Sequence, residues 1–161
     1  MQNFHPLFVH FPIALLLAAW LLTVLGMLLR RDGLHSIATW NLALGVLGAA
    51  AAVITGLRAE GHVLPHNFEI HEIMELHERC GIVVISAAAL LLLWRAVRRR
   101  AWPTQRQEQI GQAALLTFVI GVLSYGAYLG GRMVYEYGVG TNYGAQSHVQ
   151  VDDSATQHRT P

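Results

Sequence analysis

Four long apolar segments, separated by short polar stretches, dominate the pattern of the chain. The first, Phe11–Leu29, contains 19 uncharged and mostly apolar residues, and His35–Leu57 and Ile110–Gly131 follow the same pattern. The segment Cys80–Trp94 is shorter, but its helical pattern continues N-terminally to about Ile73. A transmembrane helix needs about 20 predominantly apolar residues. The pattern therefore predicts four transmembrane helices, at about residues 8–30, 35–58, 72–97 and 109–135.

The order and spacing of these segments predict the fold class. We expect an all-α fold, an integral membrane four-helix bundle with up-down-up-down topology over residues 1–140. The first segment lacks the positively charged start of a cleaved signal peptide, so we expect it to remain as a permanent helix. Residues 141–161 are polar and show no apolar periodicity, which predicts a flexible polar C-terminal tail.

The arginines indicate how the bundle is oriented. All eleven basic residues are arginines, and seven of them lie in two places, at Arg30 and Arg31 after the first helix and from Arg95 to Arg106 after the third. Cytoplasmic loops carry such an excess of basic residues. We therefore expect both termini on the periplasmic side of a bacterial inner membrane. On this interpretation Arg95 belongs to the positive-inside signal, and His35 is an interface residue.

Composition narrows the function classes. Hydrophobic residues make up 53% of the chain and charged residues 13%, with a mean hydropathy of +0.38. Soluble domains average roughly 25% charged residues, so this balance argues against a soluble enzyme and against intrinsic disorder. The net charge of +1 indicates no nucleic-acid partner and leaves the lipid bilayer as the expected surrounding. Because Cys80 is the only cysteine, a disulfide within the chain and a cysteine-based metal site are excluded.

The histidines are distributed on one side of the predicted membrane. Eight of the nine lie at the periplasmic side in this topology, and only His35 lies at the other. His10 and His77 lie where the first and third helices enter the bilayer, at matching depth. Ionisable residues at membrane depth are costly and generally functional. Gly81, about one turn after His77, would let a flat macrocycle approach the backbone closely.

Two segments of the chain resemble a known family. The opening HPLFVHFPIAL of residues 5–15 and the closing GGRMVYEYG of residues 130–138 are similar to motifs of bacterial four-helix membrane proteins, the domain of unknown function 2231. The histidine followed by a glycine in the third helix, here His77 and Gly81, resembles that family as well. The resemblance covers about residues 3–140 and implies an integral membrane protein whose histidines hold haem.

The first functional hypothesis is a b-type cytochrome. Neutral imidazole is a good iron ligand, and bundle interiors are common cofactor sites. His10 and His77 would be the axial ligands of one haem b, and His5 with His71 a second pair for a second haem nearer the surface. The propionates would meet arginines at the periplasmic ends of the helices, namely Arg58, Arg79 and Arg132. The protein would transfer electrons to or from a quinone or a periplasmic cytochrome.

Two alternatives stay open. The segment Glu69–Glu78 is rich in metal ligands, with His71 and Glu75 one turn apart, which favours a periplasmic-side site for copper, zinc or iron without haem. The other alternative is a non-catalytic accessory subunit of a larger respiratory complex, or a homo-oligomer. The sequence contains no phosphate-binding loop, nucleophile elbow or metalloprotease motif. It therefore favours an electron carrier or redox subunit over a stand-alone enzyme.

Overall fold

Four long α-helices make up the part of the chain that the structure describes. The computed structural model describes residues 5–60, 68–98 and 106–139. The helices are α1 (His5–Leu29), α2 (Asp32–Glu60), α3 (Phe68–Val97) and α4 (Arg106–Tyr135), and the described residues include no strand. Each helix contains a segment that is long and apolar enough to cross a membrane. The predicted all-α membrane fold is therefore confirmed.

The helices begin three or four residues earlier than the apolar pattern predicts. Apolar runs mark the part of a helix that lies in lipid, whereas polar residues in the first turn extend the helix beyond it. Asp32 and Glu69 lie in the first turns of α2 and α3, where a carboxylate interacts favourably with the helix dipole. The predicted tail 141–161, together with His62 and His66, lies outside the described residues.

The helices pack in the predicted sequential order. Helix α1 packs on α2 and α4, and α3 packs on the same two neighbours, so α1 and α3 occupy diagonal corners of the bundle and run in the same direction. We call the end where α1 and α3 begin the histidine end, since it contains His5, His10 and His77. The opposite end, which contains Arg95, is the arginine end.

The largest buried side chains lie in the middle of the bundle and toward the arginine end. Leucines from all four helices meet there and are fully buried, namely Leu16, Leu42, Leu91 and Leu116. The outward faces of the helices are also apolar. Trp40 is 70% exposed, Leu47 67% and Leu90 65%. Such a surface is unfavourable in water and matches contact with the lipid bilayer.

Close backbone approach joins α1 and α2, which form the most extensive helix interface. A Cβ atom on Gly48 would lie 3.2 Å from Cδ of Pro12, and one on Gly45 would lie 2.9 Å from Cδ2 of Leu16. Small residues permit such approach between membrane helices. Because proline lacks a backbone N–H, the sequence predicts that α1 begins or kinks at Pro12. The helix starts at His5, before this buried proline, so it does not begin there.

Two helices end with a residue in the left-handed region. Arg30 has φ of 53° after α1, where the amide of Arg31 donates to the carbonyl of Gly26 at 3.1 Å. Gly138 has φ of 66° after α4, and the amides of Gly138 and Val139 donate to carbonyls of the last turn. This arrangement is a glycine C-cap. The closing motif of the sequence therefore includes the residue that ends α4.

The tightest contact between α1 and α2 generates a stability prediction. A Cβ atom on Gly26 would lie 2.5 Å from Cε1 of His35, a rigid ring that is only 3% exposed. Overpacking of this kind costs about 1–3 kcal/mol. We expect Gly26→Ala to lower the thermal unfolding temperature in detergent, followed by circular dichroism.

Gly121→Ala is the matched control, because nothing lies within 4 Å of a Cβ atom at Gly121. Replacing a glycine within a helix by alanine at an open position stabilises by roughly 0.5–1 kcal/mol. Equal shifts in the two variants would contradict the close contact between Gly26 and His35.

Candidate functional site

His77 is the histidine that the structure seats most clearly in the bundle. Its Nδ1 lies 2.8 Å from the backbone carbonyl oxygen of Gly126 in α4. A carbonyl only accepts hydrogen bonds, so Nδ1 carries the proton and donates it. In the neutral ring the lone pair is then on Nε2. This arrangement leaves Nε2 as the unprotonated nitrogen of a half-buried imidazole.

Gly130 of α4 makes room for the His77 ring. A Cβ atom on Gly130 would lie 3.3 Å from Cε1 of His77, closer than most real contacts. One on Gly126 would lie 3.2 Å from Cβ of Cys80. A Cβ atom on Gly81 would lie 3.6 Å from Cγ2 of Val53 in α2, and the predicted role of Gly81 beside a macrocycle stays a prediction.

The interior of the histidine end contains both small and larger side chains. The small buried residues there come from all four helices, namely Pro12, Ala49, Ala52, Cys80 and Gly126. Leu129 and Met133 of α4 are buried at the same end.

The other predicted ligand histidines are less enclosed. His10 on α1 and His71 on α3 are both exposed. His5 lies in the first turn of α1, and its side chain is outside the described part. Because α1 and α3 occupy diagonal corners, no helix contact joins His10 to His77 directly. The pairing of His10 with His77 stays a prediction.

The three predicted propionate partners lie at the histidine end, and two of them are paired with carboxylates. Arg79 is exposed and its guanidinium lies 2.5 Å from the carboxylate of Glu75. Arg132 donates to the carboxylate of Glu136 at 2.8 Å, and this hydrogen bond lowers the pKa of Glu136 below its ordinary value. Arg58 is exposed near the end of α2. To bind a haem propionate, Arg79 would release the carboxylate of Glu75, or Arg132 that of Glu136, and pair with the propionate carboxylate.

A site for a metal ion alone is not preassembled in the described residues. No group of three histidine, cysteine, aspartate or glutamate side chains is close enough there to hold an ion. Within the segment Glu69–Glu78, the carboxylate of Glu75 is paired with Arg79. A haem iron needs fewer protein ligands, since the porphyrin supplies four nitrogens of its own.

The structure also contains a polar cluster that the sequence did not predict. Arg95 of α3 donates from Nε to Gln112 at 3.0 Å, from Nη1 to Thr39 at 3.2 Å and from Nη2 to Thr23 at 3.0 Å. These acceptors lie on α4, α2 and α1, so each helix contributes one side chain. The hydroxyls of Thr23 and Thr39 donate in turn to backbone carbonyls of their own helices. The cluster joins all four helices at the arginine end.

The signal for this cluster was an isolated polar residue in an apolar run. Thr23 is the one hydroxyl side chain in α1, at a depth where water is scarce. A polar group in that position needs a partner on another helix. Arg95 had been assigned to the positive-inside signal because four more arginines follow it by Arg106. The positive-inside rule therefore explained the charge of Arg95 without any buried partner, and the sequence did not predict one.

A comparison with protein families supports the membrane assignment. Residues 1–143 match the model of a family described as predicted membrane protein, DUF2231. Since this match spans most of the chain, the chain belongs to that family, as its opening and closing motifs predict. Neither the curated proteins nor the solved structures compared with the chain give a match.

The contact between His77 and α4 generates a prediction for the imidazole. In cofactor-free protein labelled with 15N-histidine, we expect NMR to show the proton of neutral His77 on Nδ1 and a bare Nε2. Gly130→Val should displace the ring and remove this signature, because the added side chain occupies the space of Cε1.

Gly131→Val is the neighbouring control, since a Cβ atom at Gly131 meets nothing within 4 Å. It should leave the His77 signal unchanged. A proton on Nε2 in the unmodified protein would contradict the hydrogen bond to Gly126.

Proposed function

We propose that the chain binds b-type haem within the membrane bundle, at its histidine end. His77 supplies one axial ligand, and a histidine from the opening turns of α1, His5 or His10, supplies the other. The observation that carries this proposal is the 2.8 Å contact between Nδ1 of His77 and the carbonyl of Gly126. It fixes the ring and leaves Nε2 as the ligand atom.

The chemistry of His77 supports this role. Metal-bound histidines almost always donate their other ring nitrogen to a carbonyl, a carboxylate or water, which fixes the tautomer and makes the ligand more basic. The carbonyl of Gly126 meets this requirement. Haem iron is commonly held by histidine.

The lining of the histidine end supports the same proposal. A porphyrin is flat and mostly apolar, and small residues such as Ala49, Ala52 and Gly130 leave more room for it than leucines would. Helices α1 and α3 lie diagonally across the bundle, so a group held between them would lie in the interior. The exposed position of His71 favours one haem over two.

Each part of the site has a defined task in this proposal. When bound, haem supplies one-electron redox chemistry. The chain holds the imidazole of His77 in one orientation through Gly126, surrounds the ring with apolar residues and offers Arg58, Arg79 or Arg132 to carboxylates at the surface. Electron exchange then requires a partner, which we propose to be a quinone in the bilayer or a periplasmic cytochrome.

The same proposal includes an orientation. The arginine end faces the cytoplasm of a bacterium and the histidine end faces the periplasm, because Arg30, Arg31 and Arg98 cluster at the former. Alkaline phosphatase fused after Pro161 should be active in cells, since that enzyme matures only outside the cytoplasm. An inactive phosphatase fusion, with an active cytoplasmic reporter at the same site, would reverse the orientation.

Replacement of His77 tests the haem proposal. We expect His77→Ala to lose most of the haem per chain and the sharp bands of the reduced-minus-oxidised spectrum, because one axial ligand is gone. His158→Ala is the control, since it removes a histidine close to the end of the chain and should leave haem content unchanged. Full haem content in His77→Ala, with unaltered bands, would contradict the proposal.

A further inference from the structure

We propose that a pocket on the outer face of α4, at the histidine end, binds the headgroup of a phosphatidylethanolamine lipid. The guanidinium of Arg132 binds the lipid phosphate, and the carboxylate of Glu136 binds the ammonium group. The proposed haem site has Arg58 and Arg79 besides Arg132 for its propionates. The inference therefore goes beyond the proposed function and does not rest on it.

The pocket is built by the last two turns of α4. It has a volume of about 300 Å³ and is lined by Tyr128, Gly131, Arg132, Tyr135 and Glu136. Residues three, four, seven and eight positions apart share one side of an α-helix, so the spacing brings these residues together. Tyr128 is 59% exposed and Tyr135 91%, which shows that this side points away from the bundle.

A glycine between two tyrosines leaves the pocket open. A Cβ atom on Gly131 would meet nothing within 4 Å, so the space beside it is available to another molecule. Tyr128 forms one wall, and its ring stacks with that of Tyr125 at a centroid distance of 6.4 Å. Aromatic contact of this kind supports the orientation of the Tyr128 ring. Tyr135 forms the opposite wall, one turn beyond Gly131.

The position of the pocket along α4 matches the lipid headgroup layer. The segment apolar enough to cross a membrane ends at Tyr135, and Glu136 follows it directly. Tyrosines are enriched at the boundary between membrane and water, and arginines near helix ends extend their charge toward it. The polar groups of the pocket therefore meet lipid headgroups, whereas its tyrosine rings reach the boundary of the acyl chains.

The pocket contains one positive and one negative charge side by side. Oε2 of Glu136 accepts a hydrogen bond from Nε of Arg132 at 2.8 Å, and Nη2 lies 2.8 Å from the same oxygen. A guanidinium has five N–H donors and a carboxylate accepts several hydrogen bonds, so each group can bind a further partner. Both charges are partly exposed, at 32% of the Arg132 side chain and 49% of the Glu136 side chain.

This pair of charges favours a zwitterionic headgroup with a primary ammonium. Phosphatidylethanolamine carries its phosphate and its ammonium on neighbouring groups, which can pair with Arg132 and Glu136 in opposite order. The tyrosine rings attract the same cation through their faces. An anionic headgroup would place no cation against Glu136. A choline headgroup has no N–H to donate to the carboxylate.

Lipid titration of the unsubstituted chain is the first test. Delipidated full-length protein in mild detergent is titrated separately with dioleoyl-phosphatidylethanolamine, dioleoyl-phosphatidylcholine and dioleoyl-phosphatidylglycerol, and the first bound lipid is quantified by native mass spectrometry. We expect about tenfold tighter binding of the ethanolamine lipid, since a hydrogen bond to a charged group contributes about this much to affinity. Equal binding of the three lipids, or preference for either of the others, would overturn the inference.

Charge variants test which group binds which part of the lipid. We expect Glu136→Gln to lose the preference for the ethanolamine lipid while it still binds the glycerol lipid. Arg132→Gln should weaken the binding of both, because both contain the phosphate. Circular dichroism in the same detergent shows that each variant is folded. An unchanged ethanolamine preference in Glu136→Gln would contradict the assigned role of its carboxylate.

Filling the pocket tests its location. Gly131→Val places a branched side chain between the tyrosines, and we expect it to weaken the first binding event of the ethanolamine lipid about tenfold. Gly121→Val is the matched control, since a Cβ atom at Gly121 also meets nothing within 4 Å and this residue lies outside the pocket. Equal lipid binding by the two variants would show that the lipid binds elsewhere.

Discussion

A polar group at membrane depth has no water to bind, so its hydrogen-bond partners must come from the protein. Arg95 shows how this requirement determines the packing of the four helices. The guanidinium donates to one side chain from each of the other three helices. Leaving a charge in hydrocarbon without partners would be costly, whereas aliphatic contacts permit several rotations of a helix. The hydrogen bonds of Arg95 are directional and restrict the choice. The relative depth and rotation of α1 and α3 follow from this cluster.

The two ends of the bundle differ in what they enclose. At the arginine end, Arg95 and its acceptors satisfy one another beside fully buried leucines. At the histidine end small residues such as Ala49 and Ala52 are buried together with Leu129 and Met133, and His77 uses one ring nitrogen to bind α4. Membrane bundles commonly place cofactor sites between facing helices. The difference between the ends accounts for the position of the proposed site without requiring any change in helix order.

The sequence predicted the helices well, because a membrane span requires a long apolar run that composition alone reveals. It singled out His77 because that residue lies where the third helix enters the bilayer, and the role of His77 stays a prediction. The Arg95 cluster was not predicted because Thr23, Thr39 and Gln112 form no recognisable motif in the sequence. Their common partner becomes evident only when the packing of the helices is known. The predicted partner of His77 was His10, because both were expected where their helices enter the bilayer, at matching depth. Choosing between His5 and His10 requires the depth of one helix against another, which only interhelical contacts provide.

The most direct test of this account is the haem content of the unsubstituted protein, purified in mild detergent after expression with ample haem supply. Protohaem and iron would be quantified per chain, and the reduced-minus-oxidised absorption spectrum recorded on the same sample. The account predicts roughly one protohaem per chain with sharp reduced bands of a bis-histidine haem. A colourless protein with a flat difference spectrum, folded and helical by circular dichroism, would contradict it.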